Sequence, residues 1–92
     1  DNLMRAVITV VGRDKVGIIA RVSNVLSDTG VNILDISQTI MQDMFTMIML
    51  VDTSKATGDN KVLTEKLNEV EKEMGLSIHI QNEELFNSMH RI

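Results

Sequence analysis

Two hydrophobic periods alternate along this chain, and the points where they change predict its elements. Arg5 to Val11 reads Arg-Ala-Val-Ile-Thr-Val-Val. It is β-branched and nearly apolar on both sides, the pattern of a strand in the middle of a sheet. Ile18, Ile19, Val22, Val25 and Leu26 recur at helical spacing, with Arg21, Asn24 and Asp28 elsewhere. Gly30 is placed to end that helix in the left-handed conformation. Val31 to Gln42 predicts a second strand with one wet face. Leu34, Ile36 and Ile40 alternate there with Asp35, Ser37 and Thr39. After the turn Gln42-Asp43, Met44 to Asp52 predicts a third strand that is again apolar on both faces.

A polar loop from Thr53 to Asp59 leads to a second helix, capped by Asp59 or Asn60. Its apolar stripe is Leu63, Leu67, Val70 and Met74, and Gly75 ends it. Leu76, Ile78 and Ile80 alternate with Ser77, His79 and Gln81 as a fourth strand. Asn82 then caps a tail helix over 83–90, with Leu85, Phe86 and Met89 on one side. The two long helices close alike, by Gly30-Val31-Asn32-Ile33 and Gly75-Leu76-Ser77-Ile78. Two fused βαβ units predict an α+β, ferredoxin-like βαββαβ sandwich. Its antiparallel sheet has the order 4-1-3-2, with two helices on one face and a short C-terminal helix. In that order the two-sided apolar strands, the first and third, are central.

Central strands that are apolar on both sides imply an apolar open face. Either Ala6, Ile8 and Val10 or Val7, Thr9 and Val11 must look away from the helices. The same holds for Phe45, Met47, Met49 and Val51 against Met44, Ile48 and Leu50. Such a patch exceeds what a monomer usually leaves in water. A homodimer or higher homo-oligomer is therefore expected. The competing expectation is that the tail helix folds over its own sheet.

Composition narrows the chemistry. The chain has 92 residues, enough for one domain, here 4–92, with residues 1–3 read as a remnant before Met4. Cysteine is absent, which excludes disulfides, thiolate metal sites and cysteine nucleophiles, and favours an intracellular, cytoplasmic location. A net charge of −4 and only two aromatic residues argue against nucleic acid as a partner. No apolar run approaches the roughly 20 residues of a membrane span. Catalytic groups are sparse. His79 lies on a polar strand side and His90 in the tail. The glycines Gly12 and Gly17 have P-loop spacing, but Ile18-Ile19 stand where Lys and Ser/Thr are required. No catalytic residue, metal site or cofactor is expected.

The turn from Gly12 to Ile18 remains. A helix N-terminus there presents backbone N–H groups and the positive end of a dipole, which suits a carboxylate. Gly17 lets a ligand approach the backbone, and Asn32 can donate and accept. Asp14 either caps the helix or pairs with a ligand ammonium.

The stretch Val10-Val11-Gly12-Arg13-Asp14-Lys15-Val16-Gly17-Ile18-Ile19-Ala20, with Gly30-Val31-Asn32-Ile33, resembles an ACT domain over residues 4–81. It is similar to the small stand-alone ACT proteins of bacteria and archaea. The resemblance implies a non-catalytic regulatory module that binds an amino acid or similar small effector between two ACT domains. It assigns Asp14, Val16, Gly17 and Ile18 in the loop and Asn32 and Ile33 on the second strand as ligand-binding. Val16 stands where the family usually has Pro, leaving the loop less stiff. Asp14 stands where serine-sensing members often have Asn, and its carboxylate would repel that of a ligand. The alternative reading is an adaptor that regulates an enzyme or transcription factor through a protein interface.

Overall fold

The computed structural model describes residues 5–13, 16–56 and 60–89. Its elements are β1 (Arg5–Gly12), α1 (Ile18–Asp28), β2 (Asn32–Met41), β3 (Met44–Asp52), α2 (Asn60–Met74), β4 (Ser77–Asn82) and α3 (Glu83–Met89). All four strands join one antiparallel sheet in the order β2-β3-β1-β4, the expected order read from its other edge. The proposed caps Asp59 and Asn60 and the tail residue His90 lie outside the side chains described.

Register decides which apolar set faces the helices. Ile8 lies opposite Met49 and Ile80, and Val10 opposite Met47 and Ile78. These residues, with Phe45 and Val51, pack against Ile18, Val22, Val25 and Leu26 of α1 and Leu63, Leu67 and Val70 of α2. Two methionines sit at the centre, where an unbranched thioether fills gaps between β-branched neighbours. Val7, Thr9 and Val11 therefore look toward the other face.

The two helices close by one device. Val31 N–H donates to the Leu26 carbonyl at 2.8 Å, and Leu76 N–H to that of Glu71 at 3.0 Å. Gly30 has φ 73°, a left-handed conformation that costs an L-residue about 1–2 kcal/mol. Thr29 supports the first closure by donating its hydroxyl to the Val25 carbonyl at 2.8 Å. Val31 and Leu76 thus belong to the helix closures, and the strands after them begin one residue later than the alternation predicts.

The tail covers part of the open face. Val7 is only 5% exposed although it points away from α1 and α2. α3 lies over it against β1 and β4. Arg5 Nε meets Glu83 Oε1 at 3.2 Å, and Gln81 Nε2 lies 3.5 Å from Met89 Sδ. The β3 side stays open, with Met44 and Ile48 exposed. The tail expectation therefore holds for part of this face, and the rest is left apolar and exposed.

β2 departs from its expected pattern. Its alternation predicts one buried face, yet all ten residues are exposed. The helix pair covers one edge strand and not the other: Ile78 of β4 is 9% exposed, Ile36 and Ile40 of β2 40% and 56%. A register shift between Ile33 and Asp35 also leaves Leu34 as an extra residue. Ile33, opposite the buried Val51, consequently shares a face with Ile36, opposite Met49. Leu34 drops out of the set to which simple alternation assigns it.

Gly75→Ala should lower stability by about 1–2 kcal/mol, because a Cβ there would meet nothing within 4 Å and only the left-handed backbone conformation is penalised. Urea unfolding followed by circular dichroism checks this. An unchanged midpoint would show that the closure tolerates a side chain.

Candidate functional site

The resemblance joins two sequence segments, and the sheet sets them at opposite ends. Gly12 lies opposite Phe45, while Asn32 lies opposite Asp52. Seven residues of β3 separate those levels, about 24 Å at the rise of a strand. Val16, Gly17 and Ile18 therefore sit at one end of the protomer, and Asn32 and Ile33 at the other. Asp14 lies outside the described residues.

At the loop end, Gly17 is the N-cap of α1, with φ 80° and no side chain to cap the helix. The first helical bond runs from Arg21 N–H to the Gly17 carbonyl at 2.9 Å. The first turn of α1 carries no acidic residue, so the positive end of its dipole is not offset there. Val16 is 78% exposed, whereas Ile18 is buried in the core and offers only its backbone outward. Arg13 reaches Asp43 of the β2–β3 turn at 3.3 Å, tying loop to hairpin.

At the other end, Asn32 lines a depression of about 170 Å³ with Gly30, Asp52, Ser54 and Lys55. Ser54 N–H donates to Asp52 Oδ1 at 2.8 Å, closing a turn at the end of β3. That backbone bond and then the Ser54 hydroxyl hold the Asp52 carboxyl below its ordinary value of 3.8; desolvation opposes them in part, and the charges of Lys55 and Arg5 add smaller effects in the same direction as Ser54. Asp52, Ser54 and Lys55 were not among the residues the sequence singled out. Their signal was Asp52-Thr53-Ser54, a pattern in which an aspartate bonds the backbone two residues on.

The two sheet edges are not equivalent. Ile78 N–H donates to Glu71 Oε2 at 2.7 Å, so α2 occupies part of the β4 edge. β2 lies at the other edge of the sheet and is exposed along its whole length. Ile33, Ile36 and Ile40 form an exposed apolar strip along it. His79 Nε2 lies 3.4 Å from Ser77 Oγ, a long contact on an exposed strand. Among the described residues, no three His, Cys, Asp or Glu side chains come together to hold a metal ion. No helix there is long and apolar enough to cross a membrane.

Comparison with known proteins agrees with this architecture. A family profile described as ACT domain matches residues 4–81. A UPF0237 protein of Clostridium acetobutylicum is 59% identical over 90 residues, covering 97% of this chain and all of that protein. The solved structure of an ACT domain protein from Streptococcus pneumoniae superposes with a TM-score of 0.78 at 40% identity, over 92% of this chain and 96% of that one. The regulatory subunit of aspartate kinase from Thermus thermophilus, solved ligand-free, matches with a TM-score of 0.67 at 26% identity. It covers 87% of this chain, which spans 52% of that one.

The Asp52 carboxyl should titrate below 3.8 by NMR, and Ser54→Ala should move it upward. A depressed pKa stabilises the fold above the unfolded value of about 4, and that contribution is lost as pH falls through the folded value. Asp52→Asn should therefore flatten the acid limb of the stability profile. An ordinary titration for Asp52 would contradict the geometry.

Proposed function

The chain belongs to the ACT-domain family of regulatory ligand-binding modules, and on that premise we propose that it is a non-catalytic, cytoplasmic amino-acid sensor. It works as a homodimer whose effector sites are shared between subunits. The observation behind this reading is the separation of the two candidate segments within one protomer. A two-fold axis across the β2 edge pairs β2 antiparallel with its copy. The Asn32 end of one subunit then meets the Met41 end of the other, where the Gly17 loop lies. Loop and strand, too far apart in one chain, become neighbours in two.

The edge itself favours this pairing. A bare strand presents unpaired N–H and C=O groups, and pairing with a copy satisfies them. The copy also covers Ile33, Ile36 and Ile40, whose exposure otherwise costs free energy in proportion to apolar area. In such a site the α1 N-terminus at Gly17 and Ile18 receives a carboxylate, and Asn32 supplies a donor and an acceptor.

A second reading rests on a different surface. Met44 and Ile48 stay exposed on the β3 side of the open face. They suit a protein target, an enzyme or transcription factor, through which an effector signal could be passed on.

Light scattering should give a dimer for the wild type and a monomer for Ile36→Lys/Ile40→Lys, whose new charges are exposed in the monomer and face each other in the pair. A thermal-shift screen of the twenty amino acids at millimolar concentration should return at least one stabilising ligand. Asn32→Ala should weaken its binding about tenfold. No response from any amino acid would sink the sensor reading.

A further inference from the structure

The depression at the start of β2 contains more than the asparagine that drew attention to it. It holds one carboxylate, one ammonium, one amide and one hydroxyl around about 170 Å³, with Gly30 leaving part of the wall without a side chain. The carboxylate is fixed in place. Asp52 is the last residue of β3, stands opposite Asn32 in register, and is held by Ser54 at 2.8 Å. A carboxylate has about four lone-pair directions, and the Ser54 N–H and hydroxyl use two of them. The remaining directions can serve a ligand.

The opposite charge is near but not in contact. Lys55 acts on Asp52 through space but does not close an ion pair with it, in contrast to Arg5 with Glu83, Arg13 with Asp43 and Arg21 with Glu73. Two opposite charges that line one small depression without closing on each other leave room for a molecule carrying both signs. We propose that Asp52 and Lys55 read the two charges of a zwitterionic amino acid beside Asn32, Asp52 taking the ammonium and Lys55 sharing the carboxylate with the α1 N-terminus of the partner subunit. This rests on the effector reading and makes it specific: the site should prefer the zwitterion over acids or amines of the same size.

Covering the depression matters as much as its charges. On an open surface, pairs of this kind contribute little, because water and salt screen them. A partner subunit's loop laid over the Asn32 end would exclude water and strengthen both contacts. Asp14 of that loop then need not be the ammonium partner, since Asp52 supplies the negative charge.

Calorimetry on the intact protein tests this. The tightest binder among the twenty amino acids is compared with its deaminated acid, which lacks the ammonium, and with its amide, which lacks the carboxylate. Asp52→Asn should weaken the amino acid at least about tenfold, the scale of a lost charge-assisted hydrogen bond, and leave the deaminated acid unaffected. Lys55→Gln should weaken the amino acid and leave the amide unaffected. If either variant binds the amino acid as wild type does, the charge-reading assignment is overturned while the sensor reading stands. If wild type binds none of the twenty, both fall together. Asn keeps an oxygen for the Ser54 N–H, and thermal unfolding checks that each variant is folded. Should one unfold, wild type alone decides. The deaminated acid and the amide must each bind at least about tenfold more weakly than the amino acid, and equal binding refutes the proposal.

Discussion

Two helices cover three strands of this sheet well and the fourth poorly, and much of the molecule follows from that mismatch. α1 and α2 pack over β1, β3 and β4, where Ile8, Val10, Met47 and Met49 are fully buried. Arg21 of α1 and Glu73 of α2 pair across the helix layer. β2 is left with isoleucines on the helix side and a bare backbone edge. At the far edge part of the backbone is occupied, since Glu71 accepts the Ile78 N–H. One edge is partly occupied and the other is exposed along its whole length, so β2 is the favoured edge for adding a strand.

That asymmetry bears on function through strand direction. β2 runs from the Asn32 end to the hairpin, and its length holds the two candidate segments apart. In the proposed pairing, a segment near each end of the edge strand would make half a site in a monomer and a whole site in an antiparallel pair. Ligand binding and association are then linked: whatever binds across the two subunits also stabilises their pairing. A small chain can in this way turn an amino-acid concentration into an assembly state. The proposed Asp52–Lys55 pair fits the same logic, because its charges gain strength only where water is displaced.

Much of this was legible in the sequence, for identifiable reasons. The two-sided apolar runs of β1 and β3 could only be central strands, and the topology bears that out. The glycine closures at Gly30 and Gly75 revealed the internal repeat, and both are seen as matching hydrogen bonds from Val31 and Leu76. The exposure of β2 was not legible, since alternation reports which residues share a face and not whether anything covers that face. The bulge at Leu34 was hidden as well, because an extra residue leaves an apolar run looking regular. The candidate loop and Asn32 were legible from the chemistry of a helix N-terminus and an amide, the resemblance added Val16, Ile18 and Ile33, and only the strand register showed how far apart the two segments lie. Asp52 and Lys55 belonged to a polar loop by composition, and only the fold of that loop beside Asn32 gave them a chemical context.

The central claim is that a complete effector site takes its parts from two chains, and complementation between two defective variants tests it most directly. Val16→Glu sets a negative charge at the exposed loop half, and Asn32→Ala removes the strand half. Each variant alone should bind the amino acid that stabilises wild type at least about tenfold more weakly. Unfolded and refolded together in equal amounts, they should form heterodimers in half of the molecules, each with one intact site of two. Calorimetry should then recover about a quarter of the wild-type binding stoichiometry at wild-type affinity. A mixture that binds no better than the separate variants would contradict the account and place the whole site within a single chain.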